Sequence, residues 1–102
     1  MTTSNDLRSK LQWCNVPEQN HEGLLMYIEH GVPTGSFLRN VLENNLRTAF
    51  ATADEQNRRS LFQTVAFLEQ YAPTACWGSE EAVSGWLEAH RKQRQAEKDS
   101  VA

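Results

Sequence analysis

Apolar side chains recur every three or four positions along most of the chain, the spacing that places them on one face of an α-helix. The longest regular run covers residues 36–50. It predicts one continuous helix that is about 20 Å long, at roughly 1.5 Å per residue. The apolar positions that follow the i, i+3, i+4, i+7 rule in this run, and are predicted to be buried, are Phe37, Leu38, Val41, Leu42, Leu46, Ala49 and Phe50.

Residues that start and stop helices divide the rest of the chain into shorter segments. Gly31 followed by Pro33 is typical of a helix that ends in a left-handed residue and cannot continue. Thr52 and Glu55 have the spacing of a capping box, and Ser79 is placed as an N-cap. The predicted helices cover residues 5–14, 17–30, 36–50, 53–71 and 79–90, and the fourth is expected to bury Leu61, Phe62, Val65 and Leu68.

Together these segments predict an all-α protein, a compact bundle of four to five short helices. Residues 1–90 are expected to form this single domain and residues 91–102 a polar, disordered tail. A chain of 102 residues, 39% of them hydrophobic, can build one modest core. Its net charge of -3 gives it no general attraction for nucleic acid or anionic lipid.

The sequence lacks the apolar segments that direct a protein to secretion or to a membrane. The N-terminal residues contain no apolar run of the kind found in secretion signals. No stretch approaches the roughly 18 apolar residues that a membrane span needs. Cys14 and Cys76 lie far apart in the sequence and are expected to be two reduced thiols. The sequence therefore predicts a cytoplasmic protein that does not associate with membranes.

Catalytic and metal-binding motifs are missing from the chain. It has no Gly-x-Ser-x-Gly elbow, no phosphate-binding Walker loop and no His-Glu-x-x-His pair. Its three histidines and two cysteines do not have zinc-ligand spacing. The corner of residues 31–36 precedes a helix N-terminus that can bind an anion, although a helix stop and a tight turn account for its glycines equally well. We therefore expect no enzyme activity, metal or cofactor.

DNA binding is the function that the predicted helix order invites. Two helices around Leu24 and Val41, joined by a short glycine-containing turn, have the outline of a helix-turn-helix motif. Such a motif must bring positive side chains to phosphates and base edges. Only a few contacts are available for this, which predicts weak, salt-sensitive binding. The arginines that would form the basic surface are Arg39, Arg47, Arg58 and Arg59.

The polar face of the predicted 36–50 helix is the best candidate for a partner site. Asparagine is a mediocre helix former, and each one costs about 0.5 kcal/mol relative to alanine, so the several asparagines here require a compensating interaction. That interaction is either internal hydrogen bonding or contact with a partner. Trp77, which lies in a loop, either folds over the core or anchors a partner. The candidate partner-binding residues are Arg39, Asn40, Glu43, Asn44, Arg47 and Trp77.

Three short patterns stand out between residues 17 and 87. The first is Tyr27-x-x-x-Gly31-Val-Pro-Thr-Gly-Ser-Phe-Leu38, followed by Val41-Leu-x-Asn44. The second is Ala53-Asp54-x-x-Asn57, and the third is Trp77-Gly78-Ser79.

With these patterns the chain resembles small accessory proteins encoded by tailed phages and prophages. The resemblance implies an accessory gene product that acts in the cytoplasm of a bacterial host, and it implies no activity, cofactor or catalytic residue. Asn45 stands where the pattern is associated with Asp. This change matters only if the carboxylate has a role that depends on its charge.

The leading hypothesis is therefore a non-enzymatic, phage-type accessory protein that binds a host or phage protein. Its concrete form is the modulation or inhibition of a host defence or regulatory factor. The alternative is a DNA-binding regulator of the helix-turn-helix kind, although so few arginines on a chain of net charge -3 argue against nucleic acid. A homo-oligomer that buries the polar face is a third possibility.

Overall fold

The protein folds into seven α-helices and two short 3-10 turns in a computed structural model that describes residues 4–100. The predicted all-α class is confirmed, and the predicted number of four to five helices is wrong. The 3-10 turns lie at Glu18–Asn20 and Thr74–Cys76. The helices are α1 (Ser4–Trp13), α2 (His21–His30), α3 (Ser36–Leu42), α4 (Leu46–Thr52), α5 (Glu55–Arg59), α6 (Leu61–Tyr71) and α7 (Glu80–Ser100).

One hydrophobic core joins the long helices. Leu11 of α1, Leu24 of α2, Leu42 of α3 and Phe67 of α6 are all completely buried, and Val83 attaches α7 to the same cluster. Residues that are far apart in sequence therefore bury their apolar faces together, which is what stabilises short helices in a domain of this size. None of the helices within residues 4–100 is both long and apolar enough to cross a membrane.

The end of α2 agrees with the sequence prediction. Gly31 is the C-cap residue in the left-handed conformation, with φ 64°, and its amide donates to the carbonyl of Tyr27 at 2.9 Å. Only glycine adopts this conformation without steric cost from a Cβ atom. The predicted start at residue 17 is wrong, because a 3-10 turn precedes the α-helix, which begins at His21.

The predicted 36–50 helix is interrupted, and this is the main correction to the sequence analysis. Asn44 has φ 62°, so the chain leaves the right-handed helical region between α3 and α4. The amide of Asn45 then donates to the carbonyl of Asn40 at 2.8 Å, and the Asn45 side chain caps α4 by accepting from the amide of Thr48. Asparagine tolerates the left-handed region and is a good N-cap, so both residues favour a break.

The predicted fourth helix is also divided. Asp54 caps α5 by accepting from the amide of Asn57 at 2.8 Å, whereas the Thr52 hydroxyl donates back to the carbonyl of Thr48. The predicted capping box from Thr52 to Glu55 is therefore wrong. Ser60, with φ -109°, separates α5 from α6. Aspartate is a better N-cap than threonine, so Asp54 caps this helix in place of Thr52. Asn57, whose amide Asp54 accepts from, is buried.

The last helix continues well past the core. The Ser79 hydroxyl accepts from the amide of Ala82 at 3.0 Å, so the predicted N-cap is confirmed. Residues 91–100, for which the sequence predicts disorder, continue α7 as a helix whose side chains are exposed from 91 to 99. Arg94 donates to the carbonyl of His30 at 2.7 Å and so ties this extension to the end of α2. Residues 101–102 of the predicted tail, and residues 1–3 of the predicted domain, lie outside the described residues.

Candidate protein-interaction surface

Three large apolar side chains that the sequence pattern assigns to the core are on the outside of the protein. Leu46 is 65% exposed, Phe50 54% and Phe62 82%. Leu46 and Phe50 lie on α4, and Phe62 lies on α6. The predicted burial of all three is wrong. For Leu46 and Phe50 the reason is the break at Asn44, which ends α3 before them. Phe62 lies on α6, whose buried side is formed by Thr64, Phe67 and Leu68. A monomeric protein exposes such side chains singly as a matter of course, but a group of them marks an interaction site.

A shallow cleft connects the two helices that carry these side chains. It has a volume of about 40 Å³. Leu46 and Phe50 are four positions apart and share a face of α4, and Phe62 and Val65 are three positions apart and share a face of α6. The residues that line the cleft are Val41, Asn44, Asn45, Leu46, Ala49, Leu61, Val65 and Trp77.

We call this region the α4–α6 surface and define it by six apolar side chains around and within the cleft. Three of them are the exposed side chains above, and the other three are half-buried and pack against the core. The surface therefore continues directly from the core to solvent. Its members are Leu46, Phe50, Leu61, Phe62, Val65 and Trp77.

Arginines border the α4–α6 surface on the side of α4 and α5. The Arg58 guanidinium lies 5.3 Å from the centre of the Phe50 ring, and its Nε donates to the Phe50 carbonyl at 3.4 Å. A cation in this position is attracted by the face of the aromatic ring. Arg47 is exposed on α4, and Arg59 is paired with Glu55 at 2.6 Å.

The structure brings only part of the predicted site together. Asn44 and Trp77 line the same cleft, and Arg47 is exposed on the helix beside it. The other three predicted residues have contacts within the chain. Arg39 pairs with Glu43 at 3.1 Å, and the Glu43 side chain is only 12% exposed.

Asn40 has an internal contact as well, because its amide donates to the Thr52 hydroxyl at 3.4 Å. The continuous polar face predicted for a single 36–50 helix does not form, because its members lie on α3, on α4 and at the break between them. Apolar spacing assigns Leu46, Phe50 and Phe62 to the core, so it does not predict them as surface residues. The signal that could have found the break is Asn44–Asn45, two residues that favour turns and caps over helix interiors.

Trp77 is held in place by the loop between α6 and α7. The Gly78 amide donates to the carbonyl of Leu42 at 2.7 Å, and Gly78 has φ 111°, a conformation that favours glycine. On the other side, the Tyr27 hydroxyl donates to the carbonyl of Cys76 at 2.6 Å. Burial raises the pKa of the Tyr27 hydroxyl, which therefore remains a protonated donor. Trp77 is thus fixed between two anchored residues.

Two larger depressions lie elsewhere on the molecule. One, of about 550 Å³, is polar, and three of its groups are engaged within the chain: Arg8 pairs with Glu22 at 2.9 Å, and His21 bonds to the Val16 carbonyl at 2.7 Å. The second, of about 540 Å³, lies against α1, α2, α6 and α7. Its wall includes Trp86, whose indole N–H already donates to the Tyr27 carbonyl at 2.9 Å.

Metal-ligand chemistry finds no support in the part of the chain that the structure describes. No group of three or more His, Cys, Asp or Glu side chains there is placed to hold a metal ion. Both cysteines are free thiols, and Cys76 is completely buried. Burial raises the pKa of the Cys76 thiol from 9.0 to about 11, so it is not a thiolate near neutral pH.

Comparisons of this chain with protein-family models, with curated proteins and with solved structures find no match. The short patterns behind the resemblance to phage accessory proteins nevertheless have positions in the fold. Gly31 ends α2, Asp54 caps α5, and Gly78 fixes the loop that carries Trp77. These residues build the scaffold, whereas the exposed side chains are the ones available to a partner.

Proposed function

We propose that the chain is a non-enzymatic accessory protein of phage type that binds a host protein through the α4–α6 surface and modulates or inhibits it. The observation that carries this proposal is the exposure of Leu46, which lines the cleft, and of Phe50 and Phe62, each of which lies one helical turn from a residue that lines it. The phage origin and the bacterial cytoplasm as the place of action are supported by the resemblance of the sequence patterns. A host defence or regulatory factor is the class of target that we propose.

The composition of the α4–α6 surface supports a protein partner. Protein interfaces are enriched in aromatic residues and arginine, and a few such residues near the centre carry most of the binding energy. Phe50 and Phe62 are the aromatic anchors, and Arg58 stacked on Phe50 adds the cation. Burying these rings against a partner removes apolar surface from water, at about 25 cal/mol per Å² before the costs of association.

DNA binding by a helix-turn-helix receives less support. It needs Arg39, Arg47, Arg58 and Arg59 to act together on phosphates. Arg39 and Arg59 are paired with carboxylates, and Arg58 packs on a ring. The helix that follows the turn has seven residues, four of which are buried. So few free charges on a chain of net charge -3 would release few counterions.

The test is capture of the target from a bacterial lysate by three versions of the chain. These are the wild type, the double variant Phe50→Ala/Phe62→Ala, and the control Trp13→Ala, which removes an aromatic side chain that is 77% exposed on α1. We expect the wild type and the control to enrich the same protein, identified by mass spectrometry and reconstituted from pure components. The double variant should lose at least 90% of it, as a rough guide from hot-spot energies.

Two outcomes would refute the proposal. One is equal capture by the Phe50→Ala/Phe62→Ala variant, and the other is retention of DNA but of no protein at moderate salt. All three side chains are exposed, so truncation should change stability by less than about 0.5 kcal/mol. Thermal unfolding of each variant checks this. A solution mass above 11.6 kDa for the pure chain would indicate instead that copies associate with one another.

A further inference from the structure

We infer that the partner presents an amphipathic α-helix with an acidic flank to the α4–α6 surface. This inference rests on the proposed function and specifies the chemistry of the segment that docks. It is carried by the size of the cleft, by the lack of a sheet edge within residues 4–100 and by the arginines on one border.

The surface is suited to a helix because it presents side chains of two helices and no sheet edge. It is built from α4, which has seven residues, and α6, which has eleven, and no strand is present within residues 4–100. A segment that binds as an added strand needs an exposed sheet edge to satisfy its amides and carbonyls. A segment that lies on apolar side chains must instead satisfy its backbone internally. A helix does this, and it presents anchors at i, i+3, i+4 and i+7.

The cleft limits how these anchors enter. At about 40 Å³ it accepts the end of one aliphatic side chain, between Leu46 on one wall and Val65 on the other. Phe50 lies one helical turn from Leu46 on α4, Phe62 lies one turn from Val65 on α6, and both rings are exposed. One inserted side chain with an aromatic ring next to each wall has the form of a hot spot surrounded by contacts that exclude water.

The border with α5 determines the charge of the partner. Among the described residues, neither Arg47 nor Arg58 forms a salt bridge with a carboxylate. Asp54 is near in sequence, but its carboxylate caps α5 and accepts from Gln19. Two positive groups without a carboxylate stand beside the apolar surface of a chain whose net charge is -3. Complementary charge across an interface provides specificity and speeds association, so the partner's flank is acidic.

An acidic residue near the C-terminal end of α6 determines how the partner's acidic flank is oriented on the surface. Glu69 lies seven positions after Phe62 on α6, on the same side of that helix, and is exposed. Acidic residues of the partner therefore lie over α4 and α5, where they meet Arg47 and Arg58. They are repelled from the C-terminal end of α6.

The experiment compares two fluorescently labelled helical peptides on the full-length chain by anisotropy. Both peptides carry leucines at i, i+3, i+4 and i+7; one has glutamates along one flank and the other has lysines there. We expect the acidic peptide to bind at least tenfold more tightly than the basic peptide at low salt. The preference should fall as salt is raised, because exposed charges are screened.

Charge reversal on the chain identifies the border. Arg47→Glu/Arg58→Glu should abolish or invert the preference. The control Lys92→Glu/Lys98→Glu, on the exposed extension of α7, changes the net charge equally and should leave the preference unchanged. Binding of neither peptide, equal binding of both, or the same preference after reversal at Arg47 and Arg58 would overturn the inference.

Capture of the target by the arginine and phenylalanine variants distinguishes failure of this inference from failure of the proposed function. Capture that depends on Phe50 and Phe62 but survives Arg47→Glu/Arg58→Glu leaves the proposed function standing and overturns the acidic helix. Capture that does not depend on the two phenylalanines overturns the proposed function itself. Self-association of the pure chain that Phe50→Ala/Phe62→Ala abolishes would make a second copy the occupant, and would also overturn the inference.

Discussion

Gly31 combines two constraints that no other residue type satisfies. It adopts φ 64° at the end of α2, and a Cβ atom built there would overlap the Cβ and the ring of His90 on α7. The left-handed conformation alone disfavours a side chain, and the contact with His90 adds a packing constraint. The residue that stops α2 is thus also the residue that lets α7 approach it.

The first prediction compares two glycines. Gly31→Ala should lower the free energy of unfolding by roughly 2 to 4 kcal/mol, the sum of left-handed strain and overpacking. Gly85→Ala should raise it by about 0.5 to 1 kcal/mol, because Gly85 lies within α7 and its added Cβ meets nothing within 4 Å. Urea denaturation of both variants measures the two changes. Equal effects at the two positions would contradict the packing of α7 on the end of α2.

Asn45 has a structural role that Asp could fill about equally well. Its side-chain oxygen caps α4 by accepting from the Thr48 amide at 3.4 Å. Asn and Asp serve about equally well as N-caps. The sequence identified the position as unusual, but its role depends on the helix break, which the apolar spacing does not reveal.

At the scale of elements, the sequence predicts the helix boundaries at Gly31 and Ser79 but not the break at Asn44. Helix ends marked by Gly31 and Ser79 are local signals and were predicted correctly. Apolar spacing does not reveal the break, because Leu46 and Phe50 continue after it the helical spacing that Leu42 ends before it. Periodicity reports the preference of a segment to have an apolar face, and it does not report which way that face points after a turn.

The second prediction tests this break with two substitutions at one position. Asn44→Ala should lower the free energy of unfolding by about 1 kcal/mol, because alanine resists φ 62°. Asn44→Gly should leave it nearly unchanged. In a continuous helix the order would be reversed, since alanine is the best helix former and glycine is about 1 kcal/mol worse. Chemical denaturation of the two variants decides between the two structures.

The candidate site was predicted less well than the fold, for a related reason. Asn44 and Trp77 lie in the cleft because the loop at Gly78 is bonded to the end of α3. Nothing in the spacing of two residues 33 positions apart indicates such a contact. Arg39 and Glu43, by contrast, are four positions apart on α3, and their pairing follows from helix geometry. Tertiary packing decides which polar residues remain available to a partner.

At the scale of the whole molecule, the packing around Cys76 connects stability to alkaline pH. Burial raises the pKa of the Cys76 thiol from 9.0 to about 11, and it raises that of the Tyr27 hydroxyl above its ordinary value of 10.0. Both groups stay protonated in the folded chain under conditions where the unfolded chain releases their protons. Their contribution to stability is therefore fully present below pH 9 and is lost as the pH rises towards and beyond 11.

The third prediction follows from this linkage. The urea midpoint of the wild type should be flat from pH 7 to about pH 8.5 and should fall steadily above the ordinary thiol pKa. Cys76→Ala should show a shallower fall, because the buried thiol no longer contributes, although it starts from a lower stability. A midpoint that stays constant to pH 10.5 in the wild type would contradict the burial of these two groups.

The hydrogen bonds of Tyr27 determine when α2 can complete its packing as the chain folds. Its hydroxyl bonds to a carbonyl 49 positions later, and its carbonyl accepts from an indole 59 positions later. Closing such long loops costs more entropy than pairing neighbouring helices, so these contacts are late ones. During synthesis, α2 cannot complete its environment until Trp86 has left the ribosome. Until then the nascent chain exposes the face of α2 that α7 will cover, and transiently exposed apolar surface of this kind is prone to aggregation.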